Sequence, residues 1–343
     1  MRHFRPLLPA TAALLLAVTA CTQDTAPPAA DPAEAADGPA MAVMAPVIEA
    51  ARAQPVDGGV WHQERTWGEA WGVGPEDGRY GVYRVYRTEE WSWTGAYDIH
   101  TGEFEGEEAG LSAQRTNETT WELVDERHRA AWERDGSPEY WPYDPVTERV
   151  EIPTREEGGE ISGPQPGGWN LGAATVDHPG LQELPPDPSR LEEALFPDAE
   201  TGAVDTAYQD HLVTEHGWTP ESGEPDEDTL RFLYVGTGLS LPFPPEVRAG
   251  MYTVLAGLPG VRPIEEATDV SGRAAVGVAY TLPPTAAGTV EQRLLFDPET
   301  GHLLSREAVV TEPSEAEADW SEPGDVVEYT LYGTPAWIEE PPL

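Results

Sequence analysis

The pentad "DPETG" at residues 297–301 places Asp297, Glu299 and Thr300 close together between two apolar runs, "EQRLLF" and "HLLSREAVV". Such oxygens could hold a cation. A Ca²⁺ loop, however, needs ligands at several alternating positions, as in D-x-[DN]-x-[DN]-G, and the pentad offers too few. Asp297 suits an Asx-type turn, Pro298 fixes φ at the next position and Gly301 supplies a left-handed residue, so the spacing predicts a hairpin turn. The acidic run "EPDEDT" around Asp226 reads in the same way, as a helix start whose carboxylates complement the dipole. His211 and His216 stand five apart, which is not the i, i+4 spacing of a helical zinc pair, and H-E-x-x-H and G-x-S-x-G do not occur. No metal or cofactor is expected. With 62 acidic residues, a glycosidase-like carboxylate pair is always available, and that abundance makes any chosen pair uninformative.

Charge and composition remove further classes. The 343 residues carry a formal net charge of −42, and all 20 basic residues are Arg. Without Lys there is no G-x-x-x-x-G-K-[ST] phosphate loop, no S-x-x-K acylase and no Schiff-base enzyme. The acidic field repels nucleic acid and anionic headgroups, which bind through Lys and Arg, so no nucleic-acid partner is expected. Eight of the 12 Trp lie between Trp61 and Trp141. One reading makes Trp61, Tyr83, Trp91 and Trp93 an aromatic ligand face for acyl chains or sugar rings. The other has the same rings pack a sheet against helices. Val82 and Val85 are a thin aliphatic supply for a lipid face.

The N-terminus carries an address. Arg2 and Arg5 precede an apolar run at residues 7–17, too short to span a bilayer as a mature helix. Val18, Thr19, Ala20 and Cys21 follow, and they resemble the bacterial lipobox, in which cleavage before the Cys leaves a thiol that carries diacylglycerol. Cys21 is the only Cys, so it has no disulfide partner. The resemblance implies a signal peptide at 1–20 and a membrane anchor on Cys21, two fatty chains sufficing for stable attachment outside the cell membrane. Residues 21–40, rich in Pro, Ala and acid, read as an extended tether reaching up to about 60 Å.

Residues 41–343 read as one α+β domain, with a helical middle at about 189–258. A short helix is expected at "APVIEAARAQ", with Pro46 in its first turn. The stretch 61–93 is β-like around a "GPEDG" loop, and a polar segment follows it. "DERHRAAWERDG" reads as a helix capped by Asp125 and ended by Gly136. "EYWPYDPVTERVEIP" could hold a strand, and 156–168 reads as a loop. Further helices are expected at "DPSRLEEALF" with a Ser189/Glu192 capping box, and near 205–216, 226–235 and 245–258. Strands are expected at "VSGRAAVGVAYTL", on both sides of the pentad and at "DVVEYTLYGT", an antiparallel meander. The order strands, helices, strands predicts a curved antiparallel sheet with helices packed on one face.

The blocks "PPEVRAGMYTVLAGLPGV", "TDVSGRAAVGVAYT" and "LLFDPETGHLLSRE" together resemble an uncharacterised family of actinobacterial membrane-tethered proteins. Weaker matches at "EAARAQPVDGGVW", "ERDGSPEYW" and "LQELPPDPSRLEEAL" extend the likeness from about residue 45 to the C-terminus. Members often use a transmembrane helix, where this chain has a lipobox. The hairpin, as D-x-x-T-G-x-L-L, is also similar to one in periplasmic half-barrel lipoprotein carriers and envelope-stress sensors. These resemblances imply a non-enzymatic surface lipoprotein that binds a hydrophobic or envelope-derived ligand or a partner protein. The alternatives are a cell-wall hydrolase using paired carboxylates and an interaction platform without a small ligand.

Overall fold

The computed structural model describes residues 38–54, 60–75, 77–93, 111–138, 140–143, 150–153, 155–157, 159, 161–166, 169–171, 174–176, 178–196, 225–285 and 287–339. The lipobox residues Val18, Thr19, Ala20 and Cys21, most of the tether, and the expected helix at 205–216 with His211 and His216 lie outside them.

The chain folds as α+β around an open antiparallel sheet. Strands β1 (Val60–Val73), β2 (Tyr80–Trp93) and β3 (Leu111–Leu123) form one meander. Strands β10 (Arg262–Thr268), β11 (Ala274–Thr281), β12 (Gly288–Phe296), β13 (Leu303–Pro313) and β14 (Val326–Tyr332) form a second. They join where β14 pairs with β1, through partners from Arg65↔Tyr332 to Glu69↔Glu328. The full path is β10-β11-β12-β13-β14-β1-β2-β3-β6, where β6 is Arg155–Glu157. Strand β7 (Ser162–Pro166) also pairs β3, and β15 (Ala336–Ile338) pairs β1. Short hairpins β4–β5 (Tyr140–Tyr143, Val150–Pro153) and β8–β9 (Trp169–Leu171, Ala174–Val176) stand apart from it.

Several local expectations change. The polar segment after residue 93 contains β3, because Ala113, Thr119 and Trp121 bury themselves among polar neighbours. The expected loop at 156–168 supplies β6 and β7, where Pro164 and Pro166 are tolerated beside a single partner strand. Helix α1 runs over Pro39–Arg52, so it begins earlier than expected and Pro46 lies inside it. Ala40, Met44, Val47, Ile48 and Ala51 are buried along α1, and that burial outweighs the one backbone donor that Pro46 lacks.

Between the meanders stand α2 (Arg129–Arg134), α3 (His178–Glu183), α4 (Pro188–Leu195), α5 (Glu227–Gly238) and α6 (Pro245–Gly257). Asp125 caps the 3-10 turn leading into α2 by accepting from Arg127 N, and Gly136 follows the helix at φ 89°. Helix α4 is capped by Asp187, whose carboxylate accepts from Arg190 N at 3.0 Å, rather than by Ser189. Pro188 fills the first helical position, where no donor is needed. Asp226 caps α5 through Thr229 N at 2.8 Å, so its acidic run is a helix start.

The main core joins α1, α4, α5 and α6 to β11–β14 in one cluster, with Met44, Phe232, Tyr252, Leu255, Val278, Leu294 and Phe296 at its centre. The pentad closes the β12–β13 hairpin: Asp297 accepts from Glu299 N (2.9 Å) and Thr300 Oγ1 (2.8 Å), and Gly301 sits at φ 70°. Burial pushes the Asp297 carboxyl up, but these hydrogen bonds outweigh it and hold it below the usual range. Its oxygens serve the turn.

Candidate functional site

Strand register sorts the aromatic side chains onto two sides of the sheet. In β1 and β2 the partners Arg65↔Thr88, Trp67↔Tyr86, Glu69↔Arg84 and Trp71↔Val82 alternate with His62↔Trp91 and Ala70↔Tyr83. Successive strand residues face opposite sides, so Trp67 and Tyr86 lie on one side and Tyr83 and Trp91 on the other.

The rings expected to face a ligand are occupied by packing. Trp91 is fully buried with Val60 and Ala113 and stacks on His62 at 5.5 Å. Tyr83 clusters with Val85 and Tyr329, and its hydroxyl donates to the Val326 carbonyl. Burial raises the Tyr83 phenol far above its ordinary value, with nearby Tyr329, Asp325 and Glu307 adding to the effect. Trp61 is buried edge-on to Trp337 at 5.3 Å, and the Arg248 guanidinium lies 5.2 Å from its ring centre. The Trp93 side chain lies outside the described residues.

A groove of about 480 Å³ opens instead on the Trp67 side, within the range of small-ligand sites. Arg65, Trp67, Tyr86, Thr88, Gln114, Thr116, Arg306, Thr330 and Tyr332 line it from the sheet, and Thr237 in the last turn of α5 and Ser240 just after the helix line it from above. The floor follows from the seam, since Arg306, Thr330, Trp67 and Tyr86 are successive cross-strand partners on β13, β14, β1 and β2. Trp67 and Tyr86 stack at 4.8 Å with 23° between their planes, and Arg84 lies 4.8 Å from the Tyr86 ring centre. Both rings are half-buried.

The groove's cations are compensated. Arg65 pairs with Glu90 at 2.6 Å and donates to Ser240 Oγ at 3.3 Å. Arg306 pairs with Glu328 at 3.0 Å. Glu69, opposite Glu328 in register, has its carboxyl raised above the usual range, first by burial and then by the Glu328 charge, with Trp71 and Arg84 opposing. A second concavity of about 680 Å³ at strand β10 is lined by Glu265, Glu266, Ala267, Thr268, Ala274, Ala275, Val276 and Pro298. It offers no ring and no cation. Among the described residues no group of three His, Cys, Asp or Glu converges as a metal site, and no helix is long and apolar enough to cross a membrane.

Trp67 and Tyr86 were inside the aromatic stretch but were not distinguishable from their neighbours in sequence. The signal that singles them out is parity across the β1–β2 hairpin. Arg306, Thr330 and Tyr332 reach the site through the β14–β1 seam, which leaves no local mark. No protein family, curated protein or solved structure matches this chain in comparison.

Proposed function

We propose that this chain is a lipid-anchored surface protein that holds an envelope-derived ligand in the groove over Trp67 and Tyr86, without chemically altering it. The carrying observation is the groove itself, a concave region whose floor carries the stacked Trp67 and Tyr86 rings. In this reading the sheet curves as a half-barrel, α1, α5 and α6 cover one part of its inner face, and the uncovered remainder receives the ligand. The lipobox-like residues 18–21 and the tether-like composition after them support anchoring at the outer face of the cell membrane.

Ion pairing favours binding over hydrolysis. A glycosidase needs an acid and a second, available carboxylate on either side of the scissile bond. Here Glu90 and Glu328 are each engaged by an arginine. The lining also favours a polar ligand over an acyl chain, because most of its side chains are polar and hydrocarbon offers their remaining donors and acceptors no partner in exchange for water.

The full chain, purified from its native envelope in mild detergent, provides the test. Native mass spectrometry should show a diacylglycerol adduct on Cys21 and a non-covalent companion near one per chain. The companion should be lost in Trp67→Ala. An unmodified Cys21 would overturn the anchor. A clean protein mass, or a companion indifferent to Trp67, would overturn the groove reading in favour of a protein partner or a platform.

A further inference from the structure

We propose that the ligand of this groove is an uncharged saccharide, a short run of hexopyranose rings lying across Trp67 and Tyr86. This deepens the groove reading and rests on it.

The lining selects the class by its balance of groups. Thr88, Thr116, Thr237, Ser240, Thr330 and Tyr332 bring six hydroxyls and Gln114 an amide; Thr237 already donates to the Leu233 carbonyl and keeps its acceptor lone pairs, and Ser240 accepts from Arg65 and keeps its proton to donate. A polyhydroxy ligand presents the same dual groups at close spacing. An acyl chain presents none.

Charge excludes the ionic ligands. An anion would have to enter the field of a chain with net charge −42 and displace Glu90 from Arg65 or Glu328 from Arg306. Those pairs stand at 2.6 and 3.0 Å with side chains mostly shielded from solvent, and separating them would leave a half-buried carboxylate alone. A cation would find no carboxylate in the lining, and the nearby Glu90 and Glu328 are already held by Arg65 and Arg306. A neutral ligand disturbs neither pair.

The aromatic floor supplies the remaining selectivity. Pyranose rings carry their hydroxyls around the rim and expose C–H faces, which rest on aromatic surface while the rim meets polar groups. Trp67 and Tyr86 form one rigid unit with few rotamers to freeze on binding, since each is already held by the other and Tyr86 also by Arg84. Thr237 on α5 and Ser240 in the turn after it stand off the sheet, and so can reach the rim of a ring whose face lies on the floor.

Saturation-transfer NMR and calorimetry on the full chain in detergent test this with four probes: cellotetraose, maltotetraose, chitotetraose, and neutral glycan fragments released from the native envelope. Zwitterionic phospholipid vesicles and a peptide digest of the envelope serve as comparison ligands. At least one saccharide should bind, with affinity falling about tenfold or more in Trp67→Ala. Thr116→Val, which keeps shape while removing a hydroxyl, should weaken it by about threefold to tenfold and guards against misfolding of the larger deletion. Binding should be nearly unchanged between 0.05 and 0.5 M salt as ~conditions that screen charge contacts. Trp67-dependent binding of the vesicles or peptides but of no saccharide would overturn the ligand class while leaving the groove reading intact. Absence of any Trp67-dependent binding would overturn both.

Discussion

Gly301→Ala tests whether the hairpin turn is locked against α1. Gly301 has φ 70°, and a Cβ built on it would stand 2.5 Å from Ala51 N, 2.7 Å from the Val47 carbonyl oxygen and 2.9 Å from Ala51 Cα. These are backbone atoms of a helix, so no side chain can swing aside. Either the turn or α1 must move. The turn is also tied by Tyr252 Oη donating to the Gly301 carbonyl at 2.9 Å and by Gln54 Nε2 donating to the Thr300 carbonyl at 2.7 Å, so a displacement strains both bonds. The left-handed backbone alone costs about 1 kcal/mol with a Cβ present. Overpacking against the helix adds about 2 kcal/mol, giving about 3 kcal/mol in total. Gly272 is the control: its φ is 90° and nothing lies within 4 Å of its added Cβ, so Gly272→Ala should cost only about 1 kcal/mol. Urea denaturation followed by circular dichroism reads both. Equal losses in the two variants would refute the helix contact.

Three further outcomes follow from the same region and from the buried rings. Burial, and then the Arg248 charge, lower the His302 imidazole to about 4, against an ordinary value of 6.5. Because the folded value lies below the unfolded one, its stabilisation is complete above 6.5 and lost as pH falls toward 4, on the order of 2 kcal/mol after allowing for partial solvation; the difference between wild type and His302→Gln across that window measures it. Arg248 is buried, donates to Gln54 Oε1 and the Leu241 carbonyl, and has its pKa lowered by burial. Arg248→Met should therefore cost about 2–4 kcal/mol through stranded acceptors and raise the His302 value in an NMR titration. Trp91→Ala should lose about 3–5 kcal/mol of stability, whereas Tyr83→Phe should lose about 1 kcal/mol and leave ligand affinity unchanged in calorimetry.

Much of the fold is legible where local chemistry and long-range packing agree. The β12–β13 hairpin is visible because Asp297, Pro298 and Gly301 demand a turn and Leu294, Phe296 and Leu303 feed the main core. Helices α5 and α6 are visible because Asp226 caps one, Pro245 opens the other, and both carry buried apolar stripes. Strand β3 is hidden, since Ala113, Thr119 and Trp121 are spread through a polar run. The α4 cap is hidden by a competing pattern, Ser189 with Glu192, which Asp187 pre-empts. The site is less legible than the fold because it is made by register. A shift of one residue in the β1–β2 pairing would exchange Trp67 and Tyr86 for residues of the opposite side, and no local signal joins residues 65–69 to 328–332.

The most direct test of a ligand held over Trp67 and Tyr86 is hydroxyl-radical footprinting of this protein on intact cells and after purification and washing. Buried Trp91 serves as the internal reference in both states. Trp67 and Tyr86 should be protected on cells and become reactive after washing, with Trp91 unreactive throughout. Equal reactivity of Trp67 and Tyr86 in the two states would contradict the account.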